Sequence, residues 1–306
     1  MNNTDNFDNN DIDLNELISY CWSKKNLFLS ITATFVILSG IYSYYLPDIY
    51  RSEAILAPAD EGNSMSKTLQ GYGGLASLAG IDLPSANQGS MSLEAIEKLT
   101  SFKFFETSIL PNIYLPDLMA IKEWNLKENT ISYDKRKYDS KELKWIRKAK
   151  FPKKVIPSAQ EAYKEFEDIF YLNQDDETGF IYIAVEHQSP FIAKEWTELM
   201  INNINSQYRV DHKKEATLSI DYLTLEIAKA KLAEVRQALA KLVQNEAQKS
   251  VLIESNEEYV FKILDPPYVP EEKTKPLRFV IIMLGFLLGS MISVSFLTIK
   301  FLINRK

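Results

Sequence analysis

The sequence predicts an α+β membrane protein in which two terminal apolar helices enclose a mixed domain that carries a long helical arm. Residues 27–46 and 279–299 contain no Asp, Glu, Lys or Arg. At ~1.5 Å per residue, a helix of either run would cross the ~30 Å hydrocarbon core of a bilayer. Between the two runs, residues 191–265 contain neither Gly nor Pro, and such a length without helix breakers predicts long helix.

The charges beside the apolar runs predict the orientation in the membrane. Basic residues lie on the tail side of both runs: Lys24, Lys25, Lys300, Arg305 and Lys306. Because cytoplasmic flanks are enriched in Lys and Arg, we expect cytoplasmic tails over residues 1–26 and 300–306. Lys273, Lys275 and Arg278 lie on the opposite side, but a long translocated segment is largely exempt from this rule.

Residues 47–278 are therefore expected outside the inner membrane. The first apolar run is expected to remain as an anchor, because an acidic leader precedes it and Tyr44 and Tyr45 replace a small-residue cleavage site. The net charge of -6 and the pI of about 5.3 disfavour nucleic acid as a partner. The single cysteine, Cys21, lies on the expected cytoplasmic side and cannot form an internal disulfide.

The domain between the anchors shows short strand and helix patterns in alternation. We expect strands at residues 49–56, 166–172, 180–186 and 259–264, and helices at 91–109 and 159–166. The Gly-rich stretch 71–89, with its apolar island 75–81, predicts a loop or a subunit contact. The acidic turn 175–179 lacks the ligand spacing of an EF-hand, so a plain hairpin turn is expected there.

The arm is predicted from the region without breakers. A helix over residues 191–248 would be about 87 Å long at ~1.5 Å per residue. Steps of three and four residues define a coiled-coil-like seam: Leu218, Tyr222, Leu225, Ala228, Leu232, Val235, Leu239 and Leu242. Ile220, Leu223 and Ile227 add a second face, which predicts packing both within and between subunits. A helical hairpin within one subunit is the alternative.

The most strongly charged segment covers residues 135–154, with ten basic residues against Asp139 and Glu142. Outside the membrane, Trp145, Arg147 and Lys148 are candidates to contact an anionic glycan or a lipid phosphate, with the indole stacking on a sugar face. The alternative is a solvated basic face with the Trp145 ring in the core.

Two further patterns concern the second anchor. A stiff, extended connector is predicted before it by proline, which fixes φ: Pro266, Pro267, Pro270 and Pro276. Inside the anchor, Gly285, Gly289 and Ser293 form a stripe of small residues, which permits close helix packing in lipid. A chance arrangement in a glycine-tolerant membrane helix is the alternative.

Catalytic chemistry is poorly represented. The two histidines are His187, near a predicted strand end, and His212, among the charged residues of the long helix. Neither lies in a local Cys or His cluster of metal-ligand spacing, so both are expected at the surface. No nucleophile elbow or distinct carboxylate pair is present. We therefore predict no catalytic residue, no metal and no cofactor.

The order of several motifs resembles the Wzz-type chain-length determinants, also called polysaccharide co-polymerases. The resemblance is carried by residues 49–53 and 75–80, by Ser189-Pro190 with Ala193 and Trp196, by Asn205, and by the connector 264–276. Residues 144–147, 157–158 and 178–180 are most similar to the lipopolysaccharide O-antigen branch.

That resemblance implies a periplasmic α/β base over residues 47–190 and 259–265, an arm over 191–258 and a connector over 266–278. It also implies a bell-shaped homo-oligomer, an octamer by family resemblance. The implied role is to set the length of O-antigen made by a separate polymerase on a lipid-linked polysaccharide.

Three alternatives remain open at the sequence level. A capsule or exopolysaccharide co-polymerase that works with a separate cytoplasmic tyrosine kinase would have the same outline. A two-helix sensor would need a signalling domain after the second anchor, where only a short tail is expected. An anchored enzyme would need a site that the sequence does not display.

Overall fold

The computed structural model describes residues 22–59 and 90–304. The fold is α+β, with an apolar helix near each end and a long helical arm, which confirms the predicted fold class. Two compact units divide at Asp48–Ile49 and at Lys273–Thr274. The predictions for Cys21, the Gly-rich stretch 71–89, Arg305 and Lys306 lie outside the described residues.

The first unit consists of the two apolar helices and the short segments beside them. Helix α1 spans Lys25–Tyr45, and the last helix of the chain, α8, spans Arg278–Asn304. Both helices are long and apolar enough to cross a membrane. They pack against each other, and an ion pair of 2.9 Å between Arg278 Nη2 and Asp48 Oδ1 joins their adjacent ends.

The second unit is built on a four-stranded antiparallel sheet. Its strands are β1 (Tyr50–Pro58), β6 (Phe170–Gln174), β7 (Ile181–His187) and β8 (Phe261–Asp265), in the order β6-β7-β1-β8. Ser52, Ala54 and Leu56 alternate along β1 with more exposed residues, so one face of the strand is directed to the core. The hairpin turn predicted at residues 175–179 joins β6 to β7.

Helix α6 (Pro190–Lys229) covers the buried face of this sheet with its first half. Trp196, Met200, Ile204 and Tyr208 recur at helical spacing and are each no more than 3% exposed. Their neighbours come from helix α2 (Ser90–Leu99), helix α5 (Ala159–Glu167) and the segment between them, and include Leu99, Phe104, Phe105, Ile109 and Phe166. This apolar cluster holds the second unit together.

The helix predicted over residues 91–109 is interrupted. After α2, the Ser101 side chain accepts a hydrogen bond from the Phe104 backbone N–H and begins the short helix α3 (Phe102–Phe104). A π-helical turn at Phe105–Ile109 and a 3₁₀ turn at Leu110–Asn112 follow. The restart places Phe104 and Phe105 in the core, and Ile109 follows in the core about one turn later.

Small elements that the sequence did not predict fill the region between the core helices. They are helix α4 (Leu115–Met119) and two hairpins, β2 (Ile121–Asn125) with β3 (Thr130–Tyr133) and β4 (Tyr138–Asp139) with β5 (Lys144–Trp145). Their tight turns place Asn129 and Leu143 at positive φ. Strands this short are difficult to detect from periodicity, because two to five residues do not establish an alternation.

The arm is a hairpin of two helices. Helix α6 ends at Lys229, and helix α7 (Ala233–Ser255) returns beside it after an extended turn at residues 230–232. The expectation of a single helix of about 87 Å is therefore wrong. The chain instead forms the helical hairpin that was the alternative. The reversal uses ordinary extended backbone at Ala230 and Leu232, which any residue adopts, so no Gly or Pro marks it.

Candidate functional site

The basic segment of residues 135–154 forms one side of a groove, which we call the basic groove. Lys137 directly precedes β4, Trp145 lies on β5, Lys153 and Lys154 lie in the loop after β5, and helix α5 supplies Lys164. The volume is about 910 Å³, which falls in the range of sites that hold organic ligands. The sequence predicted both the basic segment and a helix over residues 159–166, but not that the two enclose one groove.

Arg147 is fixed inside the wall of the basic groove by its own chain. Its guanidinium binds both carboxylate oxygens of Glu161, at 2.7 Å and 2.9 Å. Its Nε and Nη2 donate to the backbone carbonyls of Val155 and Lys154. A hydrogen bond from Arg147 is the largest cause that lowers the pKa of Glu161 to about 2. The donors of Arg147 are thereby directed to the protein and away from solvent.

Glu161 has a second structural role at the start of α5. Its carboxylate accepts from the Ser158 backbone N–H, and the Ser158 hydroxyl accepts from the Glu161 N–H, which forms a capping box. The Arg147–Glu161 pair therefore joins the loop after β5 to the first turn of α5. The two elements that enclose the basic groove are held at a fixed distance.

Trp145 lies half-buried on the groove wall. Its ring packs on Tyr138 with the centroids 5.2 Å apart, and Tyr138 is 3% exposed. Tyr138 in turn contacts Tyr114 and Tyr133, and the Tyr133 hydroxyl donates to Asp117 Oδ1 at 2.6 Å. The indole is thus held from behind by a packed tyrosine cluster, while part of its surface faces the groove.

The lysine side chains of the groove are more accessible to a ligand than the Arg147 side chain. Lys137, Lys153, Lys154 and Lys164 are all exposed. Lys137 Nζ donates to the Met119 carbonyl, and Lys153 lies 3.6 Å from Glu161. Among the described residues, Lys154 and Lys164 have no ion pair. Lys148, a predicted contact residue, is exposed but does not line the groove.

The small-residue stripe of the last helix lies against the first helix of the same chain. A Cβ at Gly285 would come within 2.6 Å of Ser39 Cβ, and a Cβ at Gly289 within 2.8 Å of Phe35 Cβ. Ser293 Oγ donates to the Phe28 carbonyl at 3.3 Å. The three residues thus permit close approach of the two apolar helices within one subunit.

The coiled-coil-like seam of the arm faces outward. Leu218, Tyr222 and Leu225 on α6 are 60%, 64% and 61% exposed. Several α7 or turn residues of the same seam are also exposed, namely Leu232, Val235 and Leu242, while Leu239 is half-buried. The face predicted as secondary, with Ile220, Leu223 and Ile227, is more buried against the returning helix.

The proline connector starts directly after β8. Residues 266–270 form neither helix nor strand, and Pro267 and Pro270 are buried while Pro266 is exposed. The Ser52 hydroxyl donates to the Tyr268 carbonyl at 2.7 Å, which ties the connector to β1. Pro276, near the start of the last helix, belongs to the other compact unit.

The expectation that His187 lies at the surface is wrong. The ring is 5% exposed, with Nδ1 accepting from the Ser189 N–H at 3.0 Å and Nε2 lying 3.1 Å from the Asp117 carbonyl. Because Nδ1 accepts, Nε2 carries the proton and donates. Burial lowers the pKa of His187 to about 4. His212 is half-buried, and its Nδ1 lies 2.9 Å from the Tyr259 hydroxyl.

Residues 10–107 match the sequence model of the Wzz family, described as "Chain length determinant protein". This segment of the chain is similar to the Wzz family. No curated protein sequence matches it. The matched region covers the first apolar helix, β1, α2 and the start of the π-helical turn, in an order that agrees with the resemblance drawn from the sequence.

Two solved structures also resemble this chain. A full-length bacterial polysaccharide co-polymerase is 11% identical, with a TM-score of 0.43, over 96% of this chain and 99% of that one. A fragment of WzzB, a polysaccharide co-polymerase from Salmonella Typhimurium, is 12% identical, with a TM-score of 0.31, over 75% of this chain and 100% of that one. The similarity to the Wzz family rests on the sequence match over residues 10–107.

Asn205 carries part of the family resemblance in the sequence, and the structure gives it a structural role. Asn205 on α6 is 5% exposed, and its Oδ1 accepts from the backbone N–H groups of Val260 and Phe261. Its Nδ2 donates to the Phe261 carbonyl at 3.1 Å. A polar residue between the buried positions Ile204 and Tyr208 is the signal that could have indicated such a clamp.

Proposed function

We propose that this chain is a non-enzymatic inner-membrane scaffold that sets the modal chain length of lipopolysaccharide O-antigen. The observation that carries the proposal is the Wzz match over residues 10–107, on a chain whose two apolar helices pair with each other. The O-antigen branch is favoured by the sequence similarities at residues 144–147, 157–158 and 178–180.

The proposed topology places both tails in the cytoplasm and residues 47–278 in the periplasm. Lys24, Lys25 and Lys300 at the tail side of the helices support it. Within the periplasmic part, the proposed base covers residues 47–190 and 259–265, followed by the connector 266–278. Helices 27–46 and 279–299 are the proposed membrane spans.

The proposed assembly is a homo-oligomer, with a ring of eight subunits as the family-based expectation. The outward face of the arm supports contact between copies, because Leu218, Tyr222 and Leu225 leave a row of large apolar side chains exposed in a single subunit. A second copy of the same arm would cover this row by coiled-coil packing. The proposed external partners are the O-antigen polymerase and its lipid-linked polysaccharide.

Deletion of the gene in its host tests the proposal. The extracted lipopolysaccharide is compared on a silver-stained gel with that of strains complemented by the intact chain or by an empty vector. We expect the clustered long bands to collapse to a short, unregulated ladder and to return only with the intact chain.

An unchanged lipopolysaccharide ladder would contradict the O-antigen assignment. If capsule or secreted polysaccharide then changed in length or amount, the exopolysaccharide branch would replace it. No change in any glycan would reject chain-length control altogether.

A further inference from the structure

We propose that the basic groove binds an acidic saccharide segment, held by Lys153, Lys154 and Lys164 and stacked on Trp145. The inference rests on the proposed function, since it names the chemical class of glycan that the scaffold would contact. It keeps Trp145 from the hypothesis drawn from the sequence. Because Arg147 is paired with Glu161 and Lys148 does not line the groove, Lys153, Lys154 and Lys164 take their place.

The charge of the groove selects an anion. Five basic side chains line it against two acidic ones, Glu161 and Glu165, although the whole chain carries a net charge of -6. Arg147 and Glu161 neutralise each other, and Glu161 also occupies the first turn of α5. The remaining positive charge comes from lysines that project into solvent from two sides of one concave surface.

The groove also offers what a sugar ring requires beyond charge. The half-buried indole of Trp145 presents an apolar face that the Tyr138 ring holds in place, which limits the entropy lost when a ring stacks on it. Ser158 and Gln160 add side chains that hydrogen-bond to hydroxyl groups. A pocket of mixed apolar and polar lining with convergent charge fits a uronic acid or another carboxylated sugar.

A membrane surface with anionic lipids is the competing ligand for the same lysines. Phe151, beside the groove, is 98% exposed and would insert among lipid chains if the loop met a bilayer. The position of Trp145 favours the saccharide, because its ring lies on the wall of the groove and is packed from behind, whereas a lipid-inserting aromatic residue projects from a surface.

The test is a calorimetric titration of the full chain in phosphatidylcholine nanodiscs with a galacturonic acid tetrasaccharide. The groove variant carries Lys153→Gln, Lys154→Gln and Lys164→Gln. The control variant carries Lys122→Gln, Lys127→Gln and Lys262→Gln, which make the same change in net charge at exposed positions of the same domain. Maltotetraose is the neutral ligand of matched length.

We expect the wild type and the control variant to bind the acidic tetrasaccharide with similar affinity, and the groove variant to bind at least about tenfold more weakly. Added salt should weaken the binding, and maltotetraose should bind much more weakly than the acidic ligand. Tryptophan emission should change on binding in the wild type. That change should be lost in Trp145→Phe.

Three results would overturn the proposal: no binding of the acidic tetrasaccharide, equal losses in both triple variants, or equal binding of maltotetraose. Flotation of the nanodiscs with phosphatidylglycerol vesicles, dependent on the groove lysines and without saccharide binding, would assign the groove to lipid. A failed titration would reject saccharide binding in the groove and would not change the result expected for the polysaccharide ladder of the deletion strain. The two proposals can therefore be rejected independently.

Discussion

Replacing Asn205 with leucine removes the clamp that joins the arm helix to the last strand of the sheet. The side chain makes three hydrogen bonds, all with the backbone of Val260 and Phe261, at 2.8 Å, 3.0 Å and 3.1 Å. Val260 and Phe261 are both fully buried. Leucine is close to asparagine in size but offers neither the acceptor nor the donor. Because the backbone groups of Val260 and Phe261 are buried, water cannot easily replace the lost partners.

The cost follows from the number of groups left without their partner. Two N–H groups and one carbonyl lose a hydrogen bond, at roughly 1–3 kcal/mol for each buried group that stays unsatisfied. Some relaxation and the added apolar surface of leucine reduce the total, so we expect a loss of about 3–5 kcal/mol in the free energy of unfolding. For a domain of this size, the melting temperature should fall by roughly 10 °C.

The melting of the full chain in detergent, followed by tryptophan fluorescence, measures this loss. Asn202→Leu is the matched control, because Asn202 lies on the same helix but is exposed. The wild type and the control should melt within about 2 °C of each other. A melting temperature for Asn205→Leu within that same interval, or an equal fall in the control, would refute the clamp.

Three further predictions concern the apolar helices, pH and the arm. Gly289→Leu should separate the two apolar helices and shift the O-antigen ladder. Gly40→Leu is the control and should leave the ladder unchanged, because a Cβ at Gly40 meets nothing within 4 Å. Equal ladders in the two variants would reject this helix contact. Burial lowers the pKa of His187 from 6.5 to about 4, so between these pH values the histidine is protonated in the unfolded chain but neutral in the folded chain. Acid therefore stabilises the unfolded chain, and the free energy of unfolding should fall by about 3 kcal/mol as the pH drops from 6.5 to 4. Denaturation of His187→Gln should show a shallower pH slope, and an unchanged slope would assign the effect to other groups. Leu218→Lys combined with Leu225→Lys should lower the oligomer mass measured by mass photometry, and an unchanged mass would show that this face does not join subunits.

Signals that depend on one continuous segment allowed the sequence to predict much of the fold. The apolar helices were predicted from runs without charge, and the four strands of the main sheet were each placed within a few residues of their observed positions. The hairpin turn of the arm could not be located, because residues 230–232 have ordinary composition and the reversal depends on packing between α6 and α7.

The candidate groove was only half predictable for the same reason. Trp145 and the neighbouring basic residues are contiguous, so their clustering is visible in the sequence. The partner of Arg147 is Glu161, on a separate helix, and only the folded chain shows that this pair occupies the guanidinium group. Lys164 joins the groove through the same helix.

The position of β1 in the sheet has a consequence for how the chain folds during synthesis. Strand β1 follows directly after the first apolar helix, yet its two neighbours are β7, which pairs Tyr50 with His187, and β8, which pairs Pro58 with Phe261. Contacts between such distant parts of a chain form late and slow folding. One edge of β1 therefore stays unpaired until β7 has been made, and the other edge stays unpaired until β8 has been made near the end of the domain. A nascent chain that stalls before β8 exposes that second edge to aggregation.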